Sequence, residues 1–79
     1  MRFMLIEVYE RDIHNEMFDT LEKAQEEMKK SFLDSVGFDS MTEVLDRYEE
    51  DCDFALHDFD GWSNIHDTNI DYKIVKVVD

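Results

Sequence analysis

Two apolar segments rich in β-branched and aromatic residues lie near the two ends of the chain. Residues 3–9 are apolar on both sides of an extended chain, and only Glu7 interrupts the pattern, which indicates a central strand covered on both faces. Residues 70–78 alternate apolar and polar side chains over most of their length, which predicts a second strand. We therefore expect one sheet that contains both ends of the chain.

The stretch after the first strand has the start and stop residues of a helix. Residues 10–17 are polar and are typical of a loop or the top of a hairpin. Asp19 is a good N-cap residue, and Glu22 completes a capping box. Apolar residues then recur at steps of three or four, and Gly37 suits the left-handed conformation that ends helices. This pattern predicts a helix over 20–35.

A second helix is predicted directly afterwards. Ser40 and Glu43 have capping-box spacing, and an apolar stripe at steps of three and four follows them, so we expect a helix over 41–50. Residues 54–59 are a weakly patterned candidate strand, whereas residues 60–69 have the composition of turns.

The order β-α-α-β-β predicts an α+β fold, in which a small antiparallel sheet has two helices packed on one face. A chain of 79 residues builds one domain around one small core, so we assign residues 1–79 to a single acidic α+β domain. The side chains expected to be mostly buried are Phe3, Leu5, Ile6, Val8, Leu21, Ala24, Met28, Phe32, Val44, Leu45, Tyr48, Ile74 and Val77.

The predicted strands are apolar on much of both sides, although a layer of helices on one face covers only one side of a sheet. Either the helices cover more than one side or a second chain does, so a homodimer is one interpretation. The other interpretation is that a few apolar side chains stay singly exposed, as they do on most protein surfaces.

Acidic residues dominate the charge. The chain has 21 Asp and Glu against 8 Lys and Arg, a formal net charge of −13, yet 43% of its residues are apolar, which an acidic disordered tail does not contain. Direct binding to nucleic acid or to an anionic membrane depends on Lys and Arg, so neither is expected as the main function. A partner recognised through charge would be a basic protein.

The expected location is the cytoplasm of a bacterium or of an infected host cell. Cys52 is the single cysteine and can form no internal disulfide, which favours a reducing compartment. Glu7 breaks the N-terminal apolar run and no small-residue cleavage site follows, so no export signal is predicted. No stretch is apolar and long enough to predict a membrane-spanning helix.

The negative charge is concentrated in residues 34–71, which we call the acidic segment. It contains twelve acids and one base, Arg47, a net of −11. Five of the acids follow steps of four and three, which on a helix places them near one face, about 5–6 Å apart: Asp39, Glu43, Asp46, Glu50 and Asp53. Successive phosphates of a nucleic-acid strand lie about 6–7 Å apart, so the predicted row has a similar spacing.

Two interpretations of the acidic segment stay open. Like charges at i,i+4 weaken a helix, so the pattern favours a function, namely imitation of phosphates in front of a basic groove. A solvated face that keeps a small apolar domain soluble is the alternative. For the first interpretation, the predicted partner-binding residues are Asp39, Glu43, Asp46, Glu49, Glu50, Asp53, Asp58, Asp60 and Trp62.

Patterns for catalysis and metal binding are weak. The three histidines have no metal-ligand spacing, and residues 56–67 match a calcium loop poorly, so no metal and no cofactor is expected. Acids on both sides of Cys52 disfavour its thiolate, and hence a role as nucleophile. Trp62 is either a core side chain that closes the sheet or an exposed interface anchor.

The residues therefore predict a protein that is not an enzyme. The favoured function is an acidic inhibitor or regulator that presents carboxylates to the basic nucleic-acid-binding groove of a target protein. The alternative is a non-catalytic structural or accessory domain, as a monomer or a homodimer, whose acidity serves solubility.

Four segments carry a resemblance to known groups of proteins: the first strand, the helix start Phe-Asp-Thr-Leu-Glu-Lys-Ala at 18–24, the turn with Trp62, and the terminal strand Asp-Tyr-Lys-Ile-Val at 71–75. Together they resemble small, functionally uncharacterised acidic proteins of Gram-positive bacteria and their phages or mobile elements. In size and charge the chain also resembles phage-borne inhibitors that mimic DNA, including anti-CRISPR and anti-restriction proteins. This second resemblance implies a nuclease, a CRISPR effector or a repressor as the target, and it transfers no functional residue.

Overall fold

The apolar ends of the chain pair with each other in the middle of one sheet in a computed structural model that describes residues 1–78. Along the chain the elements are β1 (Arg2–Tyr9), β2 (Asp12–Phe18), α1 (Leu21–Val36), α2 (Met41–Arg47), β3 (Phe54–Leu56), β4 (Asp60–Ser63), a 3₁₀ turn (Ile65–Asp67) and β5 (Ile70–Val77). The strands are antiparallel in the order β2-β1-β5-β4-β3. The predicted α+β fold is confirmed, with two strands more than expected.

The core lies between the sheet and the helices. The buried side chains of α1 recur at helical spacing, and Phe32 stacks on Phe54 of β3 with ring centroids 4.9 Å apart. On the sheet, Leu5 of β1 pairs with Ile74 of β5, and both side chains are buried. The other members of this core are Ala24, Met28, Val36, Val44, Ile65, Ile70 and Tyr72.

The opposite face of the sheet has no helix over it within residues 1–78, because both helices and the 3₁₀ turn bury their apolar side chains in the same core. Side chains alternate between the faces of a strand, so the strand register identifies the residues on this side. We call it the open face. On β2, β1, β5 and β4 it consists of Ile13, Asn15, Met17, Arg2, Met4, Ile6, Val8, Asp71, Lys73, Val75, Val77, Asp60 and Trp62.

Helix α1 begins one residue later than predicted. Thr20, and not Asp19, is the N-cap, and its side chain accepts a hydrogen bond from the backbone N–H of Lys23 at 3.2 Å. The predicted capping box of Asp19 and Glu22 is therefore wrong, because the N-cap lies one residue later than predicted and the residue three positions after it is Lys23. Gly37 ends the helix with φ 80°, as predicted.

Helix α2 has the predicted N-cap, Ser40, but ends at Arg47 rather than at residue 50. Tyr48 adopts an extended backbone, and its ring packs against Phe38 with centroids 6.2 Å apart. The acids that follow would have placed negative charge at the C-terminus of a longer helix, where the macrodipole disfavours it. On so short a helix only Val44 is buried, and the prediction that Leu45 is buried is wrong, since it is 50% exposed.

Strand β2 lies in the stretch that was predicted to be a loop or the top of a hairpin, and strand β4 lies where turns were predicted. Residues Asp12 to Met17 of β2 are all exposed, and four of these six are polar, so this edge strand has no buried apolar side to identify it. In β4, Gly61 lies directly against β3, and a Cβ there would be 2.9 Å from the carbonyl oxygen of Ala55. Gly61 therefore permits close packing of strands and does not mark a turn. The candidate strand at 54–59 is shorter than predicted.

Glu7 is the polar interruption of β1, and it faces the helices because it alternates with the open-face residues. It lines a cavity of about 470 Å³ between α1 and the β1–β2 hairpin, together with Glu27 and Ser31. Burial raises the pKa of Glu7, while interaction with the Ser31 hydroxyl partly opposes this shift. The ionised carboxylate is therefore disfavoured at this position.

Replacement of Glu7 by Gln is expected to raise the melting temperature at pH 8 and to change it little at about pH 3. The raised folded-state pKa means that ionisation costs stability once the pH rises above the ordinary value of 4.5, whereas at low pH both states are protonated. Circular-dichroism melts at both pH values measure the difference. Glu26→Gln, on an exposed position of α1, is the control. An equal shift at both pH values would contradict this account.

Truncation of the α1 core face should destabilise the fold. Met28→Ala and Phe32→Ala are each expected to lower the free energy of unfolding by about 2–5 kcal/mol, because both side chains are buried against the sheet. Urea titration followed by circular dichroism measures this loss. Leu45→Ala, at an exposed position, should stay within about 0.5 kcal/mol of the parent. Unchanged unfolding in both core variants would show that the helix face is misassigned.

Candidate protein-binding surface

The predicted row of five acids on one helix is wrong, although all five belong to the region around α2. Glu43 and Asp46 lie on α2 and are exposed. Asp39 precedes the N-cap of the helix, while Glu50 and Asp53 follow its last residue. The acids therefore come from a helix and its two flanks, so the spacing of an ideal helix applies only to the pair on α2.

Asp53 has a structural task in the loop behind α2. Its carboxylate accepts a hydrogen bond from the backbone N–H of Glu49 at 2.9 Å, while the N–H groups of Cys52 and Asp53 donate to the Glu49 carbonyl oxygen at 3.2 and 2.9 Å. Such an Asp-centred turn satisfies backbone groups that a longer helix would have paired. Asp53 is half-buried, whereas Glu49 and Glu50 are exposed to a partner.

His57 joins two of the acids at the β3–β4 connection. Its Nδ1 lies 3.0 Å from Oδ1 of Asp60, and its Nε2 lies 3.4 Å from Oδ1 of Asp51. Hydrogen bonds to Asp60 and then to Asp51 raise the pKa of His57. A protonated His57 would partly neutralise Asp60, one of the predicted partner-binding residues. We call this arrangement of His57 between Asp51 and Asp60 the His57 bracket. Spacing along the chain did not predict it, because Asp51 approaches His57 from the loop after α2.

Trp62 lies on the open face and not in the core, so its interpretation as a core side chain is wrong. It pairs with Asp71 across β4 and β5 and is half-buried. A shallow groove of about 550 Å³ beside it is also lined by His57, Asp60 and Lys73. The structure thus brings Asp60 and Trp62 together, whereas α2 packs on the other side of the sheet. Asp58 is exposed, and its carbonyl oxygen accepts a hydrogen bond from the Gln25 amide at 2.9 Å.

The carboxylates of the acidic segment have few cationic partners. Within residues 1–78, the ion pairs that the structure shows for them are made by His57. Arg47, the one base of the segment, lies over the Phe38 ring with its guanidinium carbon 5.7 Å from the centroid. The acids on α2 are consequently exposed charges that a basic partner could pair.

The described residues contain no group of three or more His, Cys, Asp and Glu side chains arranged to hold a metal ion. The pKa of the exposed Cys52 thiol is raised, chiefly by the negative charge of Glu49. The nucleophilic thiolate is therefore disfavoured at neutral pH. Absence of metal, cofactor and catalysis stays a prediction from the sequence. Over the same residues, neither helix has the length and apolar character needed to cross a membrane.

Comparison of the chain with protein families, curated proteins and solved structures finds no match. The resemblance to acidic proteins of phages and mobile elements therefore stays a prediction. Any function has to be inferred from the chemistry of these surfaces.

The two hydrogen bonds of His57 can be tested by NMR titration of its imidazole ring protons. The pKa of His57 should lie above the ordinary 6.5 and should fall in the double variant Asp51→Asn/Asp60→Asn, because both acceptors of its hydrogen bonds lose their charge. Asp58→Asn, next to His57 in sequence but outside the bracket, should have a much smaller effect. An unchanged pKa in the double variant would mean that the bracket does not form in solution.

Proposed function

We propose that this chain is a protein-binding inhibitor or regulator that places its carboxylates in the basic nucleic-acid-binding groove of a target protein. The observation that supports it best is the set of exposed carboxylates on α2 and its flanks without Lys or Arg partners among residues 1–78. A groove that binds phosphates offers Lys and Arg side chains, which form charge-assisted hydrogen bonds with carboxylates as well.

The spacing on α2 is compatible with this role. Glu43 and Asp46 are three residues apart on a helix, so their Cβ atoms lie about 5–6 Å apart, close to the 6–7 Å between successive phosphates. Asp39 precedes this pair, and Glu49 and Glu50 follow it. The proposed contact surface therefore consists of one helix with its two flanks, and Asp53 supports it by holding the loop.

The distribution of charge also supports a binding role over simple solubility. The open face carries the bases Arg2 and Lys73 and the acids Asp60 and Asp71, so it is formally neutral. The remaining residues carry the whole net charge of −13. Acidity that served solubility alone would be expected on all exposed surfaces, and would not leave the apolar open face without net charge.

The second candidate function is a non-catalytic structural or accessory domain whose acidity serves solubility. The apolar open face favours it, because a surface of this kind often contacts another protein chain. The two candidates make opposite statements about the acids of α2, which are contact residues in the first and dispensable in the second.

Neutralisation of the acids around α2 tests the proposal. The variant Asp39→Asn/Glu43→Gln/Asp46→Asn/Glu50→Gln should bind a target captured from host lysate at low salt at least about 100-fold more weakly than the parent, because the charge complementarity is lost. Its melt should stay similar, since the favourable charge of Glu43 in the first turn and the unfavourable one of Asp46 near the last are removed together. The matched control is Asp12→Asn/Glu16→Gln/Glu22→Gln/Glu26→Gln, which neutralises four exposed acids outside the acidic segment.

Competition distinguishes a groove contact from any other contact. The nucleic acid bound by the captured protein should displace this chain, and increasing salt should weaken the complex by screening. If the target held its nucleic acid and this chain together at full affinity, the proposal would be wrong. Equal losses in the four-acid variant and its control would contradict a specific role for α2.

A further inference from the structure

The open face is an apolar surface without a cover inside the chain. Eight of its thirteen residues are apolar, and they lie on adjacent strands in the register of the sheet. Ile13 is 66% exposed and Val75 is 38% exposed, while Ile6 and Trp62 are half-buried. Soluble monomers rarely expose a contiguous apolar surface of more than a few hundred Å², so a surface of this kind indicates a contact with another chain.

The charge of the open face limits what that other chain can be. A basic partner would be attracted to the exposed acids of α2 and its flanks, whereas the open face is formally neutral and offers it no net charge. A second copy of this chain, although it carries −13, meets no net like charge at this one surface. The open face also carries both signs, so a two-fold axis can set Lys73 of one copy against Asp71 or Asp60 of the other.

The size of the face is adequate for a dimer. Four strands spaced about 4.8 Å apart, with up to eight residues rising about 3.3 Å each, span a footprint of roughly 20 by 25 Å. Two such faces in contact would bury on the order of 1,000 Å² in total, which is the lower limit for a specific interface. The groove of about 550 Å³ beside Trp62 offers space for apolar side chains of the second copy.

We propose that two copies of this chain associate face to face through their open faces, with Ile6 and Val75 on the two inner strands of the contact and Trp62 on its outer strand, β4. Such an arrangement is isologous, because the same surface contributes from both copies. It stacks two sheets with their helices outside, so that the apolar residues of both open faces form a second core. This proposal is independent of the target-binding function, which uses residues on the other side of the sheet.

The response to salt separates the two proposals. Binding of a basic target through carboxylates weakens as salt rises, because opposite charges are screened. Association of two chains of charge −13 through neutral apolar faces should strengthen, because the long-range repulsion between them is screened while the apolar contact remains. Failure of one proposal therefore leaves the other open to its own measurement.

Trp62 provides a direct probe, because it is the only tryptophan of the chain and lies on the open face. Serial dilution of the full chain from about 1 mM should shift its emission to the red as the dimer dissociates, in parallel with the mass measured by sedimentation. In 0.5 M NaCl the transition should move to lower protein concentration than in 0.05 M NaCl. A chain that stays monomeric at 1 mM in both salts would overturn the proposal, and so would a dimer that salt weakens.

Matched variants locate the contact. Val75→Lys places a charge on the open face of both copies and should weaken the dimer at least tenfold, with the circular-dichroism spectrum retained. Leu45→Lys makes the same change on α2, where the side chain is 50% exposed, and should leave the dimer intact. A dimer as tight in Val75→Lys as in the parent, or one that Leu45→Lys dissociates equally, would show that another surface is used. If Val75→Lys does not fold, the dilution of the parent chain still decides the proposal.

Discussion

The antiparallel pairing of β1 with β5 is the contact on which the rest of the fold depends. It joins the two ends of the chain over eight residue pairs, from Arg2 with Val77 to Tyr9 with Ile70. Leu5 and Ile74 meet in this pairing and form the centre of the sheet's contribution to the core. Without it, the β1–β2 hairpin would be a separate two-stranded unit, which is marginal in water, and β3, β4 and β5 would form a second separate unit. The long sequence separation of the partners makes loop closure part of the folding cost.

Much of this frame could be predicted from the sequence, because it depends on local patterns. Both terminal strands, the course of α1, the Ser40 cap and the end of α1 at Gly37 follow from periodicity and capping chemistry. The strands that were missed depend on partners elsewhere in the chain. β2 forms because β1 offers it hydrogen-bond partners, although its own residues from Asp12 to Met17 are all exposed. Periodicity in a sequence reveals a strand when one of its sides is buried, and an exposed edge strand has no buried side.

The sequence predicted which residues form the acidic surface, but it did not predict how they are arranged in space. Counting charges identified the residues around α2, and these remain the proposed contact residues. The extension of the helix to residue 50 assumed that helical spacing continues while acids accumulate, whereas the helix ends where Tyr48 packs against Phe38 and Asp53 caps a turn. Contacts such as these, and the approach of Asp51 to His57, arise from tertiary packing. Spacing along one element cannot reveal them.

The two faces of the sheet differ in what covers them and in their charge. One face supports the helices, and through them the exposed acids, whereas the other is apolar and formally neutral. If open faces pair, the helices of both copies point outward, since they lie on the far side of each sheet. The acids of α2 would then lie on opposite outer surfaces of the dimer and stay accessible to a target. Separation of repulsive charge from the apolar face is thus what would allow one small, strongly acidic chain to associate with itself and to bind a basic partner at the same time.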